Sequence, residues 1–132
     1  MRRAVLAALL LASALPPAAR AGEEVEVTAG VVTGLRCALD AREKGNLRLL
    51  SSCPPAESRN GMVVFDVAEK KIYALSARKV RRSQLESAYG GGSIDFTGTA
   101  VRTDPKTGVV TVDVSEFSLT KKPKPGAFKG CL

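Results

Sequence analysis

From Glu24 the chain alternates: Val25, Val27, Ala29, Val31, Thr33, Leu35 and Cys37 fall on one phase, and Glu24, Glu26, Thr28 and Arg36 on the other. A period of two held from residue 25 to 37 predicts a long, half-buried strand. Gly30 and Gly34 lie on the outer phase, where glycine allows a strand to coil and bend around a small barrel. The spacing then changes. Over 38–52, Leu39, Leu47 and Leu50 at i, i+8 and i+11 predict helical turns interrupted near Gly45. Pro54-Pro55 ends them, and a polar loop runs to Asn60-Gly61.

Beyond that loop, Met62 to Val67 and Ile72 to Leu75 are β-branched and aromatic runs separated by Ala68-Glu69-Lys70-Lys71, which predicts a hairpin with a polar turn. Ser83 to Tyr89 reads as a short helix with Leu85 and Tyr89 on one face, stopped by Gly90-Gly91-Gly92. Ser93 to Arg102 alternates again, with Ile94, Phe96, Gly98 and Ala100 inward. Val109 to Leu119 places Val110, Val112 and Val114 inward before the apolar phase slips to Phe117 and Leu119, the signature of a β-bulge. Asp104-Pro105-Lys106-Thr107-Gly108 joins these two strands as a turn.

Five strands with a helix between the third and fourth is the order of an OB barrel, in which closing the sheet removes exposed edges. The fold expected is therefore mostly β, a five-stranded OB-like barrel with one or two short helices; another small β-barrel or a β-sandwich is the alternative. The residues Gly30 to Cys37 with Ala38-Leu39, then Cys53, Gly61 to Val67, and Leu85-Glu86-Ser87-Ala88-Tyr89-Gly90 leading into Phe96-Thr97-Gly98-Thr99 resemble small secreted bacterial OB-fold proteins, few of which have an assigned function. The resemblance covers most of the chain after residue 21. Many such proteins carry a second cysteine near the position of Cys53 and end soon after the last strand, whereas this chain has Cys131 at its far end.

The first 21 residues follow a different logic. Arg2 and Arg3 precede an apolar stretch from Ala4 to Leu15, shorter than the roughly 20 residues a spanning helix needs. Pro16-Pro17 breaks it, and Ala19-Arg20-Ala21 offers small side chains at the positions a signal peptidase reads, so cleavage is expected between Ala21 and Gly22. The expected organisation is a signal peptide over 1–21, an OB-like domain over 22–120 and a basic, proline-containing tail over 121–132. A periplasmic or secreted product without a transmembrane anchor follows, and with no cysteine near the cut no lipid anchor is expected. Arg2, Arg3 and Arg20 leave with the peptide, which lowers the formal charge from +7 to +4. So mild a balance, in an exported protein, argues against nucleic acid as the partner.

Three cysteines are an odd number for an oxidising compartment, so at least one stands outside an internal pair. A Cys37–Cys53 bond would close a loop of about 17 residues and contribute roughly 3 kcal/mol, and a bond from Cys37 to Cys131 would close about 95 and contribute nearer 4.7 kcal/mol, a difference that strained geometry can cancel. Cys131 thus stands as an alternative partner. The chain contains no histidine, which excludes a Cys2His2 zinc site, c-type haem attachment, a histidine general base and a Ser-His-Asp triad. Ser76-Ala77-Arg78-Lys79 fits S-x-x-K and Lys106-Thr107-Gly108 fits K-T-G, but the first ends a strand, the second is a hairpin turn and no S-D-N element accompanies them. An enzyme is the class least supported, and no cofactor is expected.

What remains is recognition. Phe65 and Tyr73, on adjacent hairpin strands, are candidates for a stacking platform of the kind OB barrels offer, although in a chain with four Phe and two Tyr the core is the more natural place for both. Arg78, Lys79, Arg81 and Arg82 place four cations within five positions, suited to an acidic ligand or an envelope protein, or simply solvated. The expectation is a non-enzymatic binding or accessory module of the cell envelope, with Phe65, Tyr73 and this cluster as candidate ligand-binding residues. The alternative is a thiol-based protein in which Cys37 and Cys53 bind a soft metal or exchange disulfides.

Overall fold

The computed structural model describes residues 20–76 and 78–120. The signal peptide expected over 1–21 therefore lies almost wholly outside the described residues, as do the tail over 121–132 and Cys131.

Five strands, β1 (Glu24–Gly34), β2 (Met62–Asp66), β3 (Lys71–Leu75), β4 (Ser93–Thr103) and β5 (Val110–Thr120), close in the order β1-β2-β3-β5-β4, with β4 returning to β1. All pairings are antiparallel except β3 with β5, where Tyr73, Ala74 and Leu75 face Val110, Thr111 and Val112. Between β1 and β2 an insert folds as α1 (Leu35–Lys44), α2 (Arg48–Ser51) and a 3-10 turn (Pro55–Asn60), and α3 (Arg82–Ala88) lies between β3 and β4. This is the expected OB-like barrel.

The first strand departs from the alternation in two places. Between Val27 and Gly30 its register with β4 shifts by one residue, and Ala29 takes the left-handed φ of 55°. The Ala29 N–H donates to Asp95 Oδ1 at 2.6 Å. This bulge turns Ala29 outward and brings Gly30 and Val32 inward, so the phase read from Val25 reverses beyond Thr28. At Gly30 the backbone approaches Val64 and Val27 so closely that a Cβ would meet their methyl groups. The strand also stops at Gly34 rather than Cys37. Residues 35–37 belong to α1, because Leu35, Ala38, Leu39 and Ala41 repeat with helical spacing and bury against the sheet. Cys37 is thus a helical residue and not the end of the first strand. Gly45, at φ 65°, ends α1 and produces the interruption anticipated there.

Elsewhere the pattern is followed closely. The phase slip after Val114 is a bulge: Thr97 faces Glu116 while Gly98 faces Val114, leaving Ser115 as the extra residue. Two apolar layers result. Val27, Val32, Val64, Ile94, Phe96 and Val112 fill the barrel, with Val80 and Leu85 closing the end beneath α3. On the outer face, Ala38, Ala41 and Leu50 of the insert cover Val63, Phe65 and Ile72. Thr33 is fully buried, and its hydroxyl donates to the Leu50 carbonyl at 2.9 Å, tying β1 to α2.

Candidate functional site

The four cations are carried by the segment that leaves β3 and enters α3. Ser76 N–H donates to the Val112 carbonyl at 2.9 Å, fixing the start of the segment, and Val80, 2 % exposed, plugs the end of the barrel. With Val80 turned inward, Arg78, Lys79, Arg81 and Arg82 are all exposed. Arg81 is the N-cap residue of α3, and its N–H donates to Gln84 Oε1 at 2.8 Å. Residues 78–82 therefore set four cations around one apolar anchor, Val80.

Two of its cations already have partners. Lys79 Nζ donates to the Ser115 carbonyl at the β5 bulge at 2.7 Å. Arg82 pairs with Glu86 at 2.9 Å across one turn of α3, and its Nη2 donates to the Ser58 carbonyl at 3.0 Å. Arg82 thereby links α3 to the 3-10 turn, a link doubled by the Tyr89 hydroxyl, which donates to the Pro54 carbonyl at 2.7 Å. Burial and the charge of Glu57 push the Tyr89 phenol above its ordinary range.

Phe65 and Tyr73 are not brought together. In the hairpin Phe65 faces Ile72 and Val64 faces Tyr73, so the two aromatic rings emerge on opposite faces of the sheet. Phe65 is fully buried beneath the insert. Tyr73 lies inside the barrel, its ring edge-on to Phe96 with centroids 5.8 Å apart. Burial first, then the charges of Asp66, Glu69 and Glu23, push its phenol up to about 12. Both aromatics serve as core, and no stacking platform is formed by them. The signal was present in the sequence: Val63-Val64-Phe65 is apolar on both phases, as in a strand covered on both faces.

Cys37 and Cys53 are joined, with S–S 2.06 Å and Cα atoms 5.9 Å apart. In that bond neither sulfur is a thiolate, the form that ligates soft metals or attacks a disulfide. The bond staples the start of α1 to the residue before Pro54, beside Gly34, where a Cβ would come within 3.1 Å of the Cys53 sulfur. Lys106-Thr107-Gly108 lies in the β4–β5 turn, where Asp104 accepts the Lys106 N–H at 2.8 Å, and that bond holds its carboxyl below the usual range. No helix among the described residues is long and apolar enough to cross a membrane. Comparisons with protein families, curated proteins and solved structures found no match for this chain.

Proposed function

We propose that this protein is a non-enzymatic binding or accessory module of the cell envelope, working in the periplasm or outside the cell, which engages an acidic ligand or partner protein through Arg78, Lys79, Arg81 and Arg82. One observation carries the reading: within residues 78–82 four exposed cations flank Val80, which is buried in the end of the barrel. Cations fixed in this way meet an acidic partner with less ordering cost than cations on a free loop. The Cys37–Cys53 bond supports an oxidising compartment, where such bonds persist.

Replacing all four residues with Gln tests the reading. The wild-type protein should bind polyglutamate or another anionic polymer at low salt, with affinity falling as salt rises. The variant should lose that binding while remaining folded by circular dichroism. Salt-independent binding, or equal binding by the variant, would refute the assignment. Mass spectrometry of protein recovered from the producing cells should give a chain beginning at Gly22.

A further inference from the structure

Among the described residues three large hydrophobic side chains are left in solvent, and two of them line the same cavity. Leu47, 46 % exposed, and Val67, 39 % exposed, line one cavity of about 140 Å3 between the end of α1 and the β2–β3 turn. Its depth is formed by Phe65 and Ala41, both buried in the outer apolar layer, and its rim carries Arg42 and Lys70. No carboxylate lines it, and among the described residues neither cation forms an ion pair.

Three of these positions break local rules at once. Lys70 holds a left-handed φ of 55°, where glycine or asparagine is favoured. Leu47, at the start of α2, leaves a large apolar side chain in solvent, while the neighbouring Asn46 Oδ1 accepts the Arg48 N–H at 3.1 Å and caps the turn. Val67 opens the β2–β3 turn with an apolar side chain in water. A commoner residue would serve folding better at each position, and all three surround one cavity. Such departures gather where a site constrains the residues.

We propose that this cavity binds a small amphiphilic anion, a single linear or aromatic apolar group of about six carbons ending in a carboxylate or phosphate. Cavities of about 150 Å3 accept a benzene-sized group, which sets the apolar part. That part lies against Phe65 and Ala41, and the anion stays at the mouth between Arg42 and Lys70. A membrane presents its anions ahead of its chains, the reverse order, so a free molecule fits better than a lipid surface. The site shares no residue with the basic segment at α3 and stands independently of it.

The test is an NMR titration of the intact purified chain with sodium hexanoate, with acetate, hexan-1-ol and phosphatidylglycerol vesicles as comparators. Hexanoate should saturate shifts at Ala41, Gly45, Leu47, Val67 and Lys70, binding about fivefold or more tightly than acetate or hexanol, since each comparator lacks one half of the recognition. Lys70→Gly should raise the melting temperature, because glycine suits the turn, and weaken hexanoate about fivefold. Arg42→Gln should weaken it similarly and Arg42→Lys should not. The proposal is overturned by the absence of saturable shifts up to about 100 mM hexanoate, by equal affinity for hexanol, by binding to vesicles alone, or by a Lys70→Gly variant that is stabilised yet binds hexanoate as before.

Discussion

The two apolar layers are built by different means. Inside the barrel, five strands close on one another through backbone pairing, and the interior is filled by large β-branched and aromatic residues such as Val32, Ile94 and Phe96. On the outer face the insert contributes only Ala38, Ala41 and Leu50 as fully buried residues against Val63, Phe65 and Ile72, and adds covalent and polar ties: the Cys37–Cys53 bond, the Thr33 hydroxyl to Leu50, and the contacts of Arg82 and Tyr89 with the 3-10 turn. Leu35, Leu39 and Leu49 of the insert are only half-buried against this layer, so burial contributes less there, and the cross-link offsets the shortfall. A barrel closed by its own ladders needs no such staple.

The most direct way to break this contrast is Phe96→Ala. It should cost about 3–5 kcal/mol and lower a single cooperative unfolding transition, since the cavity it leaves is enclosed on every side. Next comes removal of the staple. Cys37→Ser with Cys53→Ser should cost about 3 kcal/mol, and hydrogen exchange should quicken in α1 and α2 well before it quickens in the barrel strands. Equal loss of protection in both layers would show one cooperative unit and dissolve the distinction.

A smaller effect separates the layers by pH. The folded state holds Tyr73 protonated up to about pH 12, whereas the unfolded chain ionises near the ordinary value of 10.0. Its contribution to stability is therefore complete below pH 10 and is lost as pH rises from there through about 12. Denaturant midpoints should fall across that window and fall less in Tyr73→Phe. Smallest is Arg82→Gln. The ion pair it removes is more than half exposed on both sides, so global stability should change by less than about 0.5 kcal/mol, while exchange at the 3-10 turn rises as the tie to Ser58 is lost.

The same contrast explains what could be read from the sequence. In the β4–β5 hairpin one face is buried and one is wet, so period and phase slip were both visible, and the slip after Val114 marked the bulge at Ser115. At Thr33, Leu35 and Cys37 a strand period and a helix period coincide for a few residues, and only the continuation through Ala38 and Ala41 favours the helix. The bulge at Ala29 left no such mark, because alanine suits either face. For the site, the basic segment was legible because its four cations fall within five positions. Arg42, Leu47, Val67 and Lys70 were not, since three separate segments bring them together only after the insert docks.

The parallel pairing of β3 with β5 also dictates when the molecule can become whole. A chain emerging from its N-terminus can form the β1–β2–β3 meander early, yet that sheet has both edges open until β4 and β5 arrive. Closure joins residues 73–75 to 110–112 across all of α3 and β4, a long-range contact of the kind that slows folding. A nascent chain stopped short of Val110 is thus a template with unpaired edges, and the final eleven residues of the barrel act as its latch. Until that latch is delivered the chain stays open enough to be threaded, degraded or handed on.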